Sequence, residues 1–277
     1  MMRSLWTSAS GMTAQQLHVD TTAHNIANVN TTGYKADRLE FKTLLYQTME
    51  RASLDASDNG RPVNLQVGLG VRPIATAKRF TNGSFERTEL DLDFAIEGNG
   101  FFVIEHGNEN LGIEENVYTR DGSFKLSVQD DGNYLVTSDG YYVLDSEGER
   151  IMFPTDIPTS EINISSNGIF YYNDTEETDT VYLENPIALV QFANVQGLDS
   201  IGDNFYRESP NSGVPLYEAE GDTATLSTVV QGYVEMSNVN VAQEMVDLIV
   251  AQRAYDLNAK GITTSDEMLQ TAIQLKR

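Results

Sequence analysis

VAQEMVDLIVAQRAYDLNAKGITTSDEMLQTAIQL, residues 241–275, places Val241, Leu248, Tyr255, Ile262 and Leu269 at seven-residue intervals. Met245, Gln252, Ala259, Asp266 and Ile273 fill the four-residue steps between them. A sustained spacing of about 3.5 residues marks a helix whose narrow seam is buried against another helix. Asn240 stands at the N-cap and Gln243 at the capping-box position. At ~1.5 Å per residue, a helix from near Asn240 to about Leu275 reaches about 51 Å.

The other end of the chain repeats the pattern. Leu5, Met12, Val19 and Ile26 recur every seven residues, with Ala9, Gln16 and Ala23 between them. The first helix is expected from Ser4, a good N-cap, to about Val29, a rod of roughly 39 Å. Asn30-Thr31-Thr32-Gly33 then supplies a stop. Gln16, Gln252 and Asp266 interrupt the seams at positions where a polar residue fixes register at some cost in stability. The plainer reading of both stripes is an ordinary helical core within one chain. Against it, a lone two-helix hairpin of this length would leave apolar surface uncovered.

Between the ends the period changes to two. From Thr76 to about Thr228, segments such as FFVI, YYVL, IFYY and IALVQF alternate with turn dipeptides. Asn82-Gly83, Asn99-Gly100, Asp121-Gly122, Asp131-Gly132, Asp139-Gly140, Glu147-Gly148 and Asn167-Gly168 read as successive antiparallel hairpins. Residues 34–50 are mixed, and residues 51–73 read as an extended excursion or long loop. The fold class is therefore α+β: a discontinuous, coiled-coil-like helical domain from the two termini and a central antiparallel β-rich domain. The expected domains are 1–33 with 235–277 (helical), 34–75 with 225–234 (connector), and 76–224 (β-rich).

Charge follows the same division. The chain has 18 basic and 41 acidic residues, a formal net charge of -23, and residues 51–228 hold ten of the basic and thirty-one of the acidic side chains. So acidic a surface excludes nucleic acid, whose phosphates demand a basic face. Nearly neutral ends can pack closely with copies of themselves while the charged middle stays solvated. No run approaches the ~18 apolar residues of a membrane span, so membrane insertion is not expected. MMRSLWTSASGM lacks the apolar stretch of a cleaved secretion signal. Zero Cys leaves the chain indifferent to redox compartment.

Catalytic patterns do not emerge. His18, His24 and His106 show no HExxH spacing, and Gly98-Asn99-Gly100 lacks the GxGxxG continuation. The pairs Asp91/Asp93 and Glu114/Glu115 arise by chance in so acidic a region, and Asp130-Asp131-Gly132-Asn133 lacks the closing Glu of a calcium loop. No catalytic, cofactor-binding or metal residue is assigned. A secreted wall-acting enzyme and a secreted binding module such as an adhesin are the competing classes.

SASGMTAQQ (8–16) and NIANVNTTGYK (25–35) resemble the N-terminal motif of the flagellar rod and hook family of bacterial axial proteins. GYVEMSNVNVAQEMVDLIVAQRAYDLNAKGITTSDEML (232–269) is similar to that family's C-terminal motif. DLDFAIEGNGFFVI (91–104), YTRDGSFKL (118–126), LVTSDGYYVL (135–144) and GLDSIGDNFY (197–206) resemble core-domain blocks of its distal rod branch. The stretch from about Tyr46 to Gly70 is similar to one associated with a straight rather than a curved tube. His24 stands where Asn or another small polar residue is usual, Gly261 where Ala is common, and the acidic stretches 105–117 and 172–184 are longer than the family's pattern.

The resemblance implies a structural subunit of the periplasm-spanning rod, exported unfolded at its ends without a cleaved signal and polymerised as a straight helical tube that carries motor torque to the hook. Terminal helices form the inner wall and β domains the outer. The implied partners are further copies of the chain, proximal rod proteins, hook protein, the P- and L-ring bushing, and the export apparatus and rod cap during assembly; no cofactor is implied. A proximal rod subunit is the alternative within the family. The expected self-assembly seam is Leu5, Met12, Val19, Ile26, Val241, Met245, Leu248, Gln252, Tyr255, Ile262 and Leu269. Asn25, Asn28, Asn30 and Gly33, with Asn238 and Asn240 on the return, form the expected helix-end and connector motif. Arg253 and Glu244 are an expected intersubunit ion pair.

Overall fold

A computed structural model describes residues 2–52, 63–108, 113–129, 131–155, 157–173, 180–221 and 225–275. The chain divides into two compact units, one of Met1–Ala27, Asp37–Lys78 and Asn240–Arg277, the other of Asn28–Ala36 and Arg79–Val239.

The first unit holds α1 (Met2–Ala27) and α2 (Val241–Leu275). Neither helix contains a proline. Asn240 caps α2: its Oδ1 accepts from the Ala242 and Gln243 N–H groups at 3.1 and 3.3 Å. The capping box is not closed, because Gln243 donates forward to Asp247 at 3.1 Å and forms an i,i+4 pair instead. Nor is Ser4 the cap of α1, which starts at Met2 and ends at Ala27; the Ser4 hydroxyl lies 3.0 Å from that of Ser265.

The stretch after α1, expected as mixed sequence followed by a loop, is a β ribbon. β1 (Asp37–Thr43) and β2 (Tyr46–Glu50) run out, and β3 (Leu65–Gly68) and β4 (Val71–Lys78) run back. β1 pairs β4 and β2 pairs β3, both antiparallel. The pattern escapes a periodicity search because most side chains of the ribbon are exposed, those of β2 throughout, so alternation carries no burial signal. Residues 53–62, part of the stretch expected to keep the tube straight, lie outside the described residues.

The second unit is β-rich and antiparallel throughout. β5 (Phe85–Arg87) and β6 (Phe94–Glu97) lead to the hairpin of β7 (Phe101–Asn108) and β8 (Ile113–Thr119). That hairpin takes up the acidic stretch 105–117, of which 109–112 lie outside the described residues, as do 174–179 of the stretch 172–184. Next come β9 (Lys125–Gln129), β10 (Gly132–Val136), β11 (Tyr142–Val143), β12 (Met152–Phe153) and the set β13 (Asn163–Ile164), β14 (Phe170–Asn173) and β15 (Thr180–Tyr182). β16 (Leu189–Gln191), β17 (Asp199–Gly202), β18 (Phe205–Arg207), β19 (Leu216–Tyr217), β20 (Thr228–Gln231) and β21 (Tyr233–Glu235) complete it.

The largest sheet runs β12-β10-β11-β7-β8-β18-β17, with β9 added to β10, β16 to β7 and β19 to β16. β20 pairs β6 and β21 pairs β5, so the returning chain closes on the entering one. The first half of β7, Phe101 to Ile104, is buried on both faces, which is why FFVI reads as a continuous apolar run. Phe102 and Ile104 enter one aromatic core with Phe94, Phe124 and Phe170, while Phe101 and Val103 enter another with Tyr118, Phe192 and Tyr206. Each buried Phe contributes roughly 1.5–3 kcal/mol.

Three of the seven turn dipeptides make tight turns, Asp139-Gly140, Glu147-Gly148 and Asn167-Gly168, whose glycines sit at φ +90°, +85° and +81°, while the connection at Asp131-Gly132 includes residue 130, outside the described residues. Asn82-Gly83, Asn99-Gly100 and Asp121-Gly122 join strands that do not pair with each other. At Gly83 and Gly122 a Cβ would collide with the carbonyl oxygens of Met236 and Phe94, so these glycines serve close backbone approach rather than positive φ. Conversely, Asp203-Asn204 makes the β17–β18 turn with both residues at positive φ, +49° and +60°, the type I′ geometry without its usual glycine.

Candidate assembly surface

α1 and α2 pack antiparallel through small and polar residues. Ser4 meets Ser265, a Cβ on Gly261 would lie 2.9 Å from the Ser8 hydroxyl, and a Cβ on Gly11 would lie 2.8–3.0 Å from the Asn258 amide. Asn25 Nδ2 donates to Glu244 at 3.2 Å. Ala14, Thr22 and Ala251 are buried along the same line. Positions 4, 8, 11, 22 and 25 of α1, and 244, 251, 258, 261 and 265 of α2, keep heptad spacing. This intrachain face is the neighbour of each predicted stripe, one residue toward the N-terminus. Small side chains let the backbones approach closely, which larger ones would prevent.

The predicted seam residues therefore flank the contact. Leu5, Met12, Val19, Ile26, Val241, Leu248, Ile262 and Leu269 are half-buried, and Met245, Gln252 and Tyr255 are exposed. Gln16, Val19, Gln252, Tyr255 and Asp256 line a groove of about 440 Å³ between the helices. A further stripe on α2 escaped the sequence reading: Val246, Val250 and Leu257 are 54%, 58% and 68% exposed, and Met268 and Leu275 continue it. α2 thus carries apolar side chains around most of its circumference while α1 covers one side, the pattern of a helix destined for burial. Arg253 is exposed, and Glu244 is engaged by Asn25.

The asparagines of the connector motif hold chain crossings. Asn25 brackets the start of β1, donating to the Asp37 carbonyl at 2.8 Å and accepting from its N–H at 2.9 Å. Asn28 accepts from the Thr31 N–H and hydroxyl, both at 3.2 Å. Asn30 is exposed. Gly33, at φ +67°, donates its N–H to the Glu235 carbonyl at 2.7 Å, and a Cβ there would lie 2.7 Å from the Asp121 nitrogen. In the β-rich unit, Asn238 accepts from the Ala36 N–H at 2.8 Å and donates to the Thr81 carbonyl at 3.0 Å.

The β-rich unit also holds an ion triad that the sequence did not reveal. Lys35 Nζ sits 2.6 Å from Glu235 Oε1, and Arg120 Nη1 3.4 Å from Glu235 Oε2, all three side chains about 1% exposed. Glu235 also accepts from the Gly83 N–H at 2.8 Å, Arg120 donates to the Gly98 carbonyl at 2.8 Å, and Lys35 donates to the Thr81 carbonyl at 3.0 Å. Burial draws the Lys35 ammonium below its ordinary pKa, opposed by the Glu235 charge. The available signal was a lone charge at the end of an otherwise uncharged strand, Tyr233-Val234-Glu235.

Terminal helices with uncovered apolar faces, and an acidic β-rich unit held internally by buried polar groups, define a structural subunit built for assembly. The family description "Flagella basal body rod protein" matches residues 5–35, "Flagellar hook protein FlgE/F/G D1 domain" residues 95–172, and "Flagellar basal body rod FlgEFG protein C-terminal" residues 230–275. The chain is 45% identical over 278 residues to the flagellar basal-body rod protein FlgG of Borreliella burgdorferi, covering 100% of both chains. It is 40% identical to the FlgG of Buchnera aphidicola from Acyrthosiphon pisum, covering 99% of this chain and 100% of the relative, and 39% identical to that of Bacillus subtilis, covering 100% of both. The chain belongs to the FlgG family of flagellar basal-body rod proteins, and the proximal-rod alternative is not favoured. Among the described residues, no helix is long and apolar enough to cross a membrane.

Proposed function

We propose that this chain is a structural, non-catalytic subunit of the flagellar distal rod. It polymerises into a straight tube across the periplasm and transmits torque from motor to hook, after export without a cleaved signal peptide. Terminal helices form a coiled-coil-like inner wall and β-rich units the outer wall. The rod's other axial proteins bound the polymer, with the P- and L-rings as its bushing. The observation that carries this reading is the unequal coverage of α2: α1 lies on one side, and Val246, Val250 and Leu257 stand exposed on another. Leaving such a surface in water is unfavourable by about 25 cal/mol per Å², and stacking identical helices removes it. The seam and connector residues named above are the contacts this polymer uses.

The test is assembly of Leu248→Asp and Ile262→Asp, measured by sedimentation and negative-stain microscopy. Each places a charge where neighbouring helices would bury it, at a cost of several kcal/mol. Both are expected to keep the β-rich unit folded and to abolish tubes. Normal tubes from either variant would refute the assignment.

A further inference from the structure

Within the β-rich unit lies a cavity of about 860 Å³ whose apolar wall includes Leu90, Leu92, Phe124 and Leu126. Its volume falls in the range of about 300–1,000 Å³ that small-ligand sites occupy. Two polar side chains that line it, Asp93 and Asn133, are only 5% and 6% exposed, and each lacks the partner its chemistry demands. The Asn133 Oδ1 accepts no hydrogen bond, although the Nδ2 of the same amide donates to the Pro154 carbonyl at 3.3 Å. Among the described residues the Asp93 carboxylate has neither a hydrogen bond nor an ion pair. Buried acceptors without donors are costly, a charged one most of all.

The surroundings deepen the demand for positive charge. Glu89 and Asp91 line the same cavity, and the exposed Lys125, which lines it too, makes no ion pair among the described residues. Burial holds the Asp121 carboxyl above its ordinary pKa, and the nearby Asp93 charge adds to the rise. Both orphaned groups are acceptors, so the missing occupant is a donor, and three carboxylates on one cavity make it a cation. A bare metal ion fits poorly: among the described residues no group of three His, Cys, Asp or Glu is placed to hold one, and the apolar wall offers it nothing. A primary ammonium supplies three N–H donors and one charge, and an alkyl or aryl body attached to it covers the apolar wall.

We propose that this cavity is a binding site for a small amphipathic amine, its N–H donors given to Asp93 and Asn133 and its apolar body laid on Leu92, Phe124 and Leu126. All of these residues belong to one chain, so the site is tested on the full-length soluble protein whether or not tubes form. Calorimetric titration with n-octylammonium is expected to show a single saturable site per chain. Ammonium chloride and octan-1-ol, each with half of the required chemistry, should bind at least about tenfold more weakly, as should n-octanoate, whose charge is reversed. Asp93→Asn should weaken n-octylammonium about tenfold and leave the unliganded thermal midpoint unchanged or higher, because an unpaired buried charge is gone. Glu89→Gln with Asp91→Asn, at exposed positions where the fold is safe, should weaken it to a smaller degree. Equal affinity for octan-1-ol or n-octanoate, or unchanged affinity in Asp93→Asn, overturns the proposal. A lower unliganded midpoint in Asp93→Asn also overturns it, since the carboxylate would then have a structural partner. Tubes that no longer take up the amine overturn it as well, in favour of a side chain from the next copy filling the cavity.

Discussion

Glu235→Gln is the sharpest perturbation of the β-rich unit, because it removes one anion from between two buried cations and changes almost nothing in shape. At an effective dielectric of ~20, the 2.6 Å contact with Lys35 corresponds to about 6 kcal/mol and the 3.4 Å contact with Arg120 to about 5. Desolvation of three charged groups offsets much of this, so breaking the triad should cost ~3–5 kcal/mol, the usual range when one buried partner is lost. Against a domain stability of about 5–15 kcal/mol, that is a large fraction. The assay is urea denaturation followed by tyrosine fluorescence and circular dichroism. The only tryptophan, Trp6, lies in α1, so tyrosine emission is excited best through the thirteen tyrosines of a Trp6→Phe background. The midpoint should fall with little change in slope, and Lys35→Met added to Glu235→Gln should recover part of the loss by removing an unpaired cation. A loss below about 1 kcal/mol would refute the argument that these charges are buried and mutually dependent.

Gly261→Ala gains up to ~1 kcal/mol of helix propensity and displaces only the rotatable Ser8 hydroxyl, so it should lower the critical concentration for assembly. Gly11→Ala has the same propensity gain but meets three atoms of the Asn258 amide, and overpacking of ~1–3 kcal/mol should raise that concentration. Asn238→Ala takes the side-chain acceptor from the Ala36 N–H and leaves the Thr81 carbonyl with Lys35 as its side-chain donor, and should destabilise the β-rich unit by about 1–2 kcal/mol in the same urea titration. Burial raises the Asp121 pKa above 3.8, so the folded form keeps its proton at a pH where the unfolded chain has released it. Stability from this group therefore declines as pH rises through that window, and Asp121→Asn should flatten the dependence measured by denaturation across it.

Periods of 3.5 and 2 are properties of neighbouring residues, so the two terminal helices, the antiparallel middle and the α+β class were legible in the sequence. So was the cap at Asn240, because a cap is local. The face by which α1 and α2 meet was not: periodicity marks the apolar stripe, whereas Ser4, Ser8, Gly11 and Gly261 allow the closest approach along the adjacent line. A glycine required for a turn, as at 140, and one required for close passage, as at 83, look alike until the passing strand is known. Lys35, Arg120 and Glu235 each read as an ordinary charge, since nothing local couples positions 35, 120 and 235. Long-range contacts bring them together: the Gly33 N–H donates to the Glu235 carbonyl, setting Lys35 beside β21, and Arg120 follows the end of β8 and donates to the Gly98 carbonyl; burial then makes each charge depend on the others. Local chemistry selects the elements; long-range pairing decides which side chains lose water together, and only the tertiary structure holds that information.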